Sequence, residues 1–163
     1  LAERPFHIGD WIKINNVEGN IESLGFWSTR VRTFYNSVVT VPNAMLLTAT
    51  VDNLGLRQYR RYSTKLGIKY DTAPNKIDAF CEGIKTLIKE HPNMRHDVFH
   101  VFFNDFSSSS LDIMVYCFFI APDWNSELKY RHIFLLSIVR LASELGISFA
   151  YPSQSIYMEK IKE

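Results

Sequence analysis

Between Arg4 and Asn43, apolar and polar residues alternate with period two, and turn residues interrupt the alternation at short intervals. That pattern predicts a small, strongly bent β-barrel. Ile12 and Ile14 share one face of a first strand, with Trp11 and Lys13 on the other. Asn15-Asn16 tolerates the positive φ of a tight hairpin turn. Val17, Gly19 and Ile21 then alternate with Glu18, Asn20 and Glu22, and a glycine in mid-strand predicts a bulge or sharp bend at Gly19. Beyond Gly25, Thr29, Val31 and Thr33 alternate with Arg30 and Arg32. A turn at Tyr35-Asn36-Ser37 leads into Val38 to Val41, and Pro42 stops that strand. Met45 to Leu47 make a turn before a fifth strand, Thr48 to Asp52. Five short strands at this spacing fit an Sm-like or SH3-like barrel.

The second half has a different rhythm. Tyr62, Thr64, Leu66, Ile68 and Tyr70 alternate with Arg61, Ser63, Lys65, Gly67 and Lys69, which predicts a strand with one wet face. Asp71 and Thr72 offer capping oxygens and Pro74 suits a first helical turn. Ile77, Phe80, Cys81, Ile84, Leu87 and Ile88 then fall on one helical stripe, and His91-Pro92-Asn93 ends it. Val98 to Phe103 and Leu111 to Ile120 read as two strands joined through Asn104-Asp105 and four serines. A long helix follows from about Asn125 to Leu145, closed by Gly146, and a last extended piece runs from Ser148 to Met158. The order β-α-β-β-α-β is that of a ferredoxin-like α/β sandwich. The predicted fold class is therefore α+β: a barrel over residues 1–57, a sandwich over 58–150 and a C-terminal strand segment over 151–163. In the strand Leu111 to Ile120, Met114, Tyr116 and Phe118 point away from the helices, so this second sheet face is expected to pack on the β domain or on a neighbouring subunit.

Composition narrows the function more than the fold. A hydrophobic content of 47% is ample for a core, and a net charge of +1 builds in no general attraction to nucleic acid or anionic lipid. Cys81 and Cys117 sit in apolar patterns and are expected to be two buried thiols rather than a disulfide. No signal peptide is visible, and no apolar run approaches the ~18 residues a membrane-crossing helix needs. The chain as it stands is expected to be soluble.

The candidates for chemistry are weak. His96 and His100 lie four apart, but in an extended strand that is about 13 Å, too far to share one metal ion. Ser107 to Ser110 lacks the glycine-flanked elbow of an activated serine and reads as a hairpin loop. Asp71 and Asp78 read as a cap and a solvated helix face. No glycine-rich phosphate loop is present. No catalytic residue, metal or cofactor is expected. Arg30, Arg32, Arg57, Arg60, Arg61 and Lys65, with Phe99, Phe102 and Phe103 as stacking platforms, outline the alternative: a free-standing ligand- or RNA-binding module.

The order of the short motifs PFHIGDWI, VEG, STRVRT and VTVPN resembles the cytoplasmic β domain of the small-conductance mechanosensitive channel family. Pro5, Phe6, Gly9, Asp10, Gly19, Thr29, Arg32, Thr33, Pro42 and Asn43 carry the resemblance. It implies that a pore helix precedes Arg4 and that Leu1 to Arg4 is its stub. It also implies a homo-oligomeric, typically heptameric vestibule on the cytoplasmic side of the inner membrane. Such a channel releases ions and osmolytes under hypoosmotic stress. The implied partners are other copies of the chain, the lipid bilayer (through helices not in this sequence) and the permeating ions, with no nucleic acid.

Overall fold

The computed structural model of the chain describes residues 6–152. It separates between Gln58 and Tyr59 into two compact units. Pro5 and the stretch with Gln154, Ile156 and Met158 lie outside the described residues.

The first unit is one antiparallel sheet of β1 (Trp11–Ile14), β2 (Val17–Leu24), β3 (Ser28–Thr33), β4 (Val38–Pro42) and β5 (Val51–Asn53), in the order β4-β3-β2-β1-β5. Asn15 and Asn36, at the two hairpin turns read from the sequence, have φ of +48° and +67°. Asn accepts this left-handed region because its short polar side chain bonds locally. Ile12, Ile14, Ile21, Val31 and Val41 are buried in one cluster, with Val39 and Val51 against it. Inward residues from all five strands meeting in one core require the sheet to curl. The edges β4 and β5 are not hydrogen-bonded to each other, so the barrel is open.

Two local expectations change. Met45 to Leu47 belong to a helix, α1 (Asn43–Thr48), and the fifth strand starts later, at Val51. Nothing in Ala44-Met45-Leu46-Leu47 resists a helix, and three of these are good helix formers. The bulge on β2 falls between Ile21 and Ser23 rather than at Gly19. Gly19 instead meets a close backbone: a Cβ there would stand 2.2 Å from the Arg32 carbonyl oxygen.

The second unit has β6 (Arg60–Ile68), α2 (Pro74–Glu90), β7 (His100–Phe106), β8 (Leu111–Phe119) and α3 (Trp124–Glu144). Its sheet runs β6-β8-β7, all antiparallel. Phe149 bridges to Ile68 outside β6, with Ala150 donating to the Gly67 carbonyl (2.9 Å). That gives the ferredoxin-like arrangement, with the fourth strand reduced to a bridge among the described residues. The predicted stripe of α2 is buried (Ile77, Phe80, Cys81, Ile84, Ile88) against Val101, Ile113, Val115, Cys117, Phe119, Phe134 and Ile138.

Ala73, not Asp71 or Thr72, is the N-cap of α2, and no side chain caps it; Thr72 Oγ1 donates instead to the Lys69 carbonyl (2.6 Å). The cap of α3 is Asp123, which accepts from the Ser126 amide at 2.7 Å. Gly146, at φ +64°, follows the end of α3 as expected. Strand β7 starts at His100 rather than Val98 and runs on through Asn104 and Asp105, with a register shift between Phe103 and Asp105. The reason lies upstream. Met94 bridges to Phe119 and the Arg95 amide donates to Phe118 (2.9 Å), so residues 93–95 already occupy the end of β8. The chain then bends at 96–98 before pairing resumes.

Candidate functional site

The motif residues of the first unit are joints of its sheet. Phe6 is buried. Gly9, at φ +93°, lets its amide reach the Ile21 carbonyl (2.8 Å). Asp10 accepts from the His7 amide and from Asn53 Nδ2, both at 2.9 Å. The His7 bond first, then the Asn53 bond, hold its carboxyl below the usual carboxylate range. Arg32 donates to Glu22 Oε1 (2.5 Å) and to the Asn36 carbonyl (3.1 Å), and Thr33 bonds across its turn to Ser37 (2.9 Å).

The most connected joint is Asn43, placed by Pro42 where β4 passes into α1. Its Nδ2 donates to the carbonyls of Gly25 (3.0 Å) and Phe26 (2.9 Å), and its amide donates to Trp27 (2.9 Å). The buried Thr29 hydroxyl donates to Asn43 Oδ1 at 2.9 Å, which fixes the side-chain amide's orientation. One asparagine thus holds three consecutive carbonyls of the β2–β3 hairpin tip.

The chemical candidates are not drawn together. His96 Nε2 lies 2.9 Å from the His91 carbonyl oxygen, while His100 stacks with Phe102 and leans on Tyr116. Among the described residues no group of three or more His, Cys, Asp or Glu is arranged to hold a metal. Cys81 and Cys117 are free and buried. Burial raises the Cys81 thiol's pKa and pushes that of Cys117 up to about 12, away from nucleophilic character. Four of the six basic residues have partners within their own unit. Arg32 is on Glu22, Arg57 lies over the Trp11 ring (4.6 Å), Arg60 is on Glu127 and Lys65 is on Asp112.

Three arrangements went unread in the sequence. Asp112, 1% exposed, accepts from Ser107 Oγ, from Ser110 Oγ (2.7 Å) and from Lys65 Nζ (2.8 Å). Lys65 foremost, then the two hydroxyls, lower its pKa to about 2. The serine loop is therefore a hairpin turn tied to a buried carboxylate; Asp112 follows Ser107 by five positions and Ser110 by two in the sequence, but its pairing with Lys65 needs the sheet register. Glu127, also buried, receives Arg60 Nη1 (3.2 Å) and Arg131 Nη2 (2.5 Å), tying β6 to α3. Phe26 and Trp27, 84% and 81% exposed, meet edge to face at 4.9 Å on the tip that Asn43 holds.

The second sheet face is partly covered from within its own unit. Phe118 meets Tyr116 (5.3 Å) and Tyr59 (6.5 Å), and Arg95 lies over Tyr59 (4.5 Å); Met114, Tyr116 and Phe118 are half-buried. No helix among the described residues is long and apolar enough to cross a membrane.

An open β-barrel unit followed by a ferredoxin-like sandwich defines an architectural class: a two-unit α+β chain. Comparison with known proteins identifies it. Residues 1–56 match the family description "Mechanosensitive ion channel, beta-domain", and residues 63–149 match "Mechanosensitive ion channel MscS, C-terminal". The chain belongs to the MscS family of mechanosensitive ion channels. It is 36% identical over 162 residues to the low conductance mechanosensitive channel YnaI of Escherichia coli K12, covering 98% of this chain and 47% of that protein. It is 31% identical over 163 residues to the large-conductance channel MscMJLR of Methanocaldococcus jannaschii, covering 98% and 45%. The chain thus spans about half the length of these relatives. In fold it resembles Arabidopsis thaliana MSL1 A320V (TM-score 0.84, 22% identity, 91% of this chain and 56% of that one). It also resembles closed-state Helicobacter pylori MscS (TM-score 0.81, 22% identity, 96% and 60%).

Proposed function

We propose that this chain is the cytoplasmic vestibule portion of a mechanosensitive channel of the cell membrane. The whole protein assembles as a homo-oligomer, a heptamer, and passes ions and small osmolytes when membrane tension opens it under hypoosmotic stress. The chain itself performs no catalysis in this reading. The observation that carries it is the ordered match to both family parts across nearly the whole chain. The joints described above fit the role, because a vestibule must hold its shape while the pore above it changes. In the same reading the ten motif residues are structural, and residues 1–57, 58–150 and 151–163 serve as barrel, sandwich and terminal strand.

The test is electrical and hydrodynamic. The full protein, reconstituted in liposomes and patched under suction, should give tension-activated currents, and its mass in detergent should be that of seven copies. Tension-independent currents, or none, would remove the gating assignment; a stable dimer would remove the ring.

A further inference from the structure

We infer that the turn after α2 is a proton-operated latch, in which protonation of His91 releases residues 93–95 from the end of β8. The inference goes beyond the channel reading and does not depend on it.

Pro92 ends α2 and holds His91 extended, at φ −75° and ψ +118°. The chain then doubles back onto the imidazole. The Asn93 amide donates to His91 Nδ1 (3.1 Å), and the Met94 amide donates to the His91 carbonyl (3.3 Å). The same segment is tied to β8 and the residue after it. The Ile120 amide donates to the Asn93 carbonyl (2.8 Å), the Arg95 amide donates to the Phe118 carbonyl (2.9 Å), and the buried Met94 bridges to Phe119. Asn93 therefore links the imidazole on one side to the end of β8 on the other.

A neutral imidazole has one nitrogen that donates and one that accepts, whereas an imidazolium has two donors and no acceptor. Because Nδ1 of His91 accepts from an amide, it carries the lone pair. Protonation there sets an N–H against the Asn93 N–H, and the bond is lost. His96 differs. Its Nε2 faces the His91 carbonyl oxygen at 2.9 Å, so that nitrogen is a donor already and keeps its bond when the ring is charged.

The surroundings favour the neutral ring of His91. Phe119 of β8 (6.2 Å) and Tyr130 of α3 (6.1 Å) meet it edge to face. Burial, foremost, lowers its pKa from the usual histidine value; a hydrogen bond with the Tyr130 backbone opposes this, and the nearby His96 adds to it. Arg95 and Asp97 of the same turn hold each other (2.6 Å). On α2, Lys89 lies over the Phe99 ring (5.9 Å) and Glu90 is exposed. The ring is only half-buried, so protons reach it from solvent. The latch is thus closed above the ordinary histidine range and opens as pH falls through the lowered value.

The test is hydrogen exchange read by mass spectrometry on the full protein at about pH 8 and about pH 5, which bracket the ordinary histidine range, with the intrinsic pH dependence of exchange divided out. Protection over residues 91–97 and 118–120 should fall about threefold to tenfold at the lower pH, the ratio set by a half to one pKa unit between closed and open turn. Residues 77–88 of α2 should keep theirs. His91→Asn, whose Oδ1 can take the Asn93 amide but does not titrate, should show the same protection at both pH values. His96→Gln should keep the parent's loss. A parent equally protected at both pH values overturns the inference, and so does a loss that His91→Asn retains or that His96→Gln abolishes. If His91→Asn leaves the turn open at both pH values, a parent loss that persists in His96→Gln still assigns it to His91, because these two are the turn's side chains that titrate in this range.

Discussion

Asp112 shows how a single carboxylate can set the shape of a loop. Its contribution has a defined pH dependence. With a folded pKa of about 2 against ~3.9 for an unfolded aspartate, the stabilisation is complete above about pH 4 and is lost as pH falls through about 2. Asp112→Asn should lower the melting temperature at pH 7, and the gap from the parent should narrow between pH 4 and pH 2. A gap of constant size would mean that the carboxylate's charge is not what holds Ser107 and Ser110. Gly19 makes a different demand, for space. A methyl group at 2.2 Å from the Arg32 carbonyl oxygen forces two strands apart, so Gly19→Ala should cost about 1–3 kcal/mol in denaturant titration. An Ala variant as stable as the parent would show that the sheet yields there at no cost. Asn43→Ala leaves the Gly25 and Phe26 carbonyls short of a donor, its backbone amide still serving Trp27, and should cost about 1–3 kcal/mol. Amide exchange near 25–28 should speed up with it.

Among elements, α3 is held to the sheet by more than its apolar face. Arg60 on β6 and Glu127 on α3 are each nearly buried and 3.2 Å apart. Glu127→Ala would take the buried carboxylate away from the Arg60 guanidinium, whose Nε also donates to the Ala121 carbonyl (3.2 Å). Such a loss costs about 3–5 kcal/mol, whereas Glu127→Gln, which keeps an acceptor, should cost less; equal losses would point to packing alone. Elements of this kind were only partly legible in the sequence. Period-two alternation located β1 to β4 and period 3.6 located α2 and α3, because each buries one face. The six-residue α1 was missed, as it has no buried residue to give it a periodic signature. The start of β7 was misread because Val98 and Phe99 look like strand residues, and only the prior occupation of β8 by residues 93–95 bends the chain away from it. The motif residues were legible as a set, but their bonding was not. Asn43 and Gly25 are 18 residues apart, and nothing local announces that one caps the other.

At the scale of the whole molecule, assembly is where the unpartnered apolar surface matters. Phe26, Trp27, Tyr35 and Leu47 are each more than 80% exposed in the single chain. One feature bears on how that assembly can be studied. Both sulfhydryls of the chain are shut in the sandwich core, with Cys117 ionising only near pH 12. A disulfide reagent should therefore titrate neither in the folded chain at pH 8, and both on addition of guanidinium; prompt reaction before unfolding would show that the sandwich opens. The practical result is a silent background. A cysteine placed at exposed Ser108 would be the one addressable thiol of these residues, so in a full protein with no exposed cysteine elsewhere a single fluorophore per copy follows without deleting either native residue. Stepwise bleaching of one assembled particle would then count its copies directly.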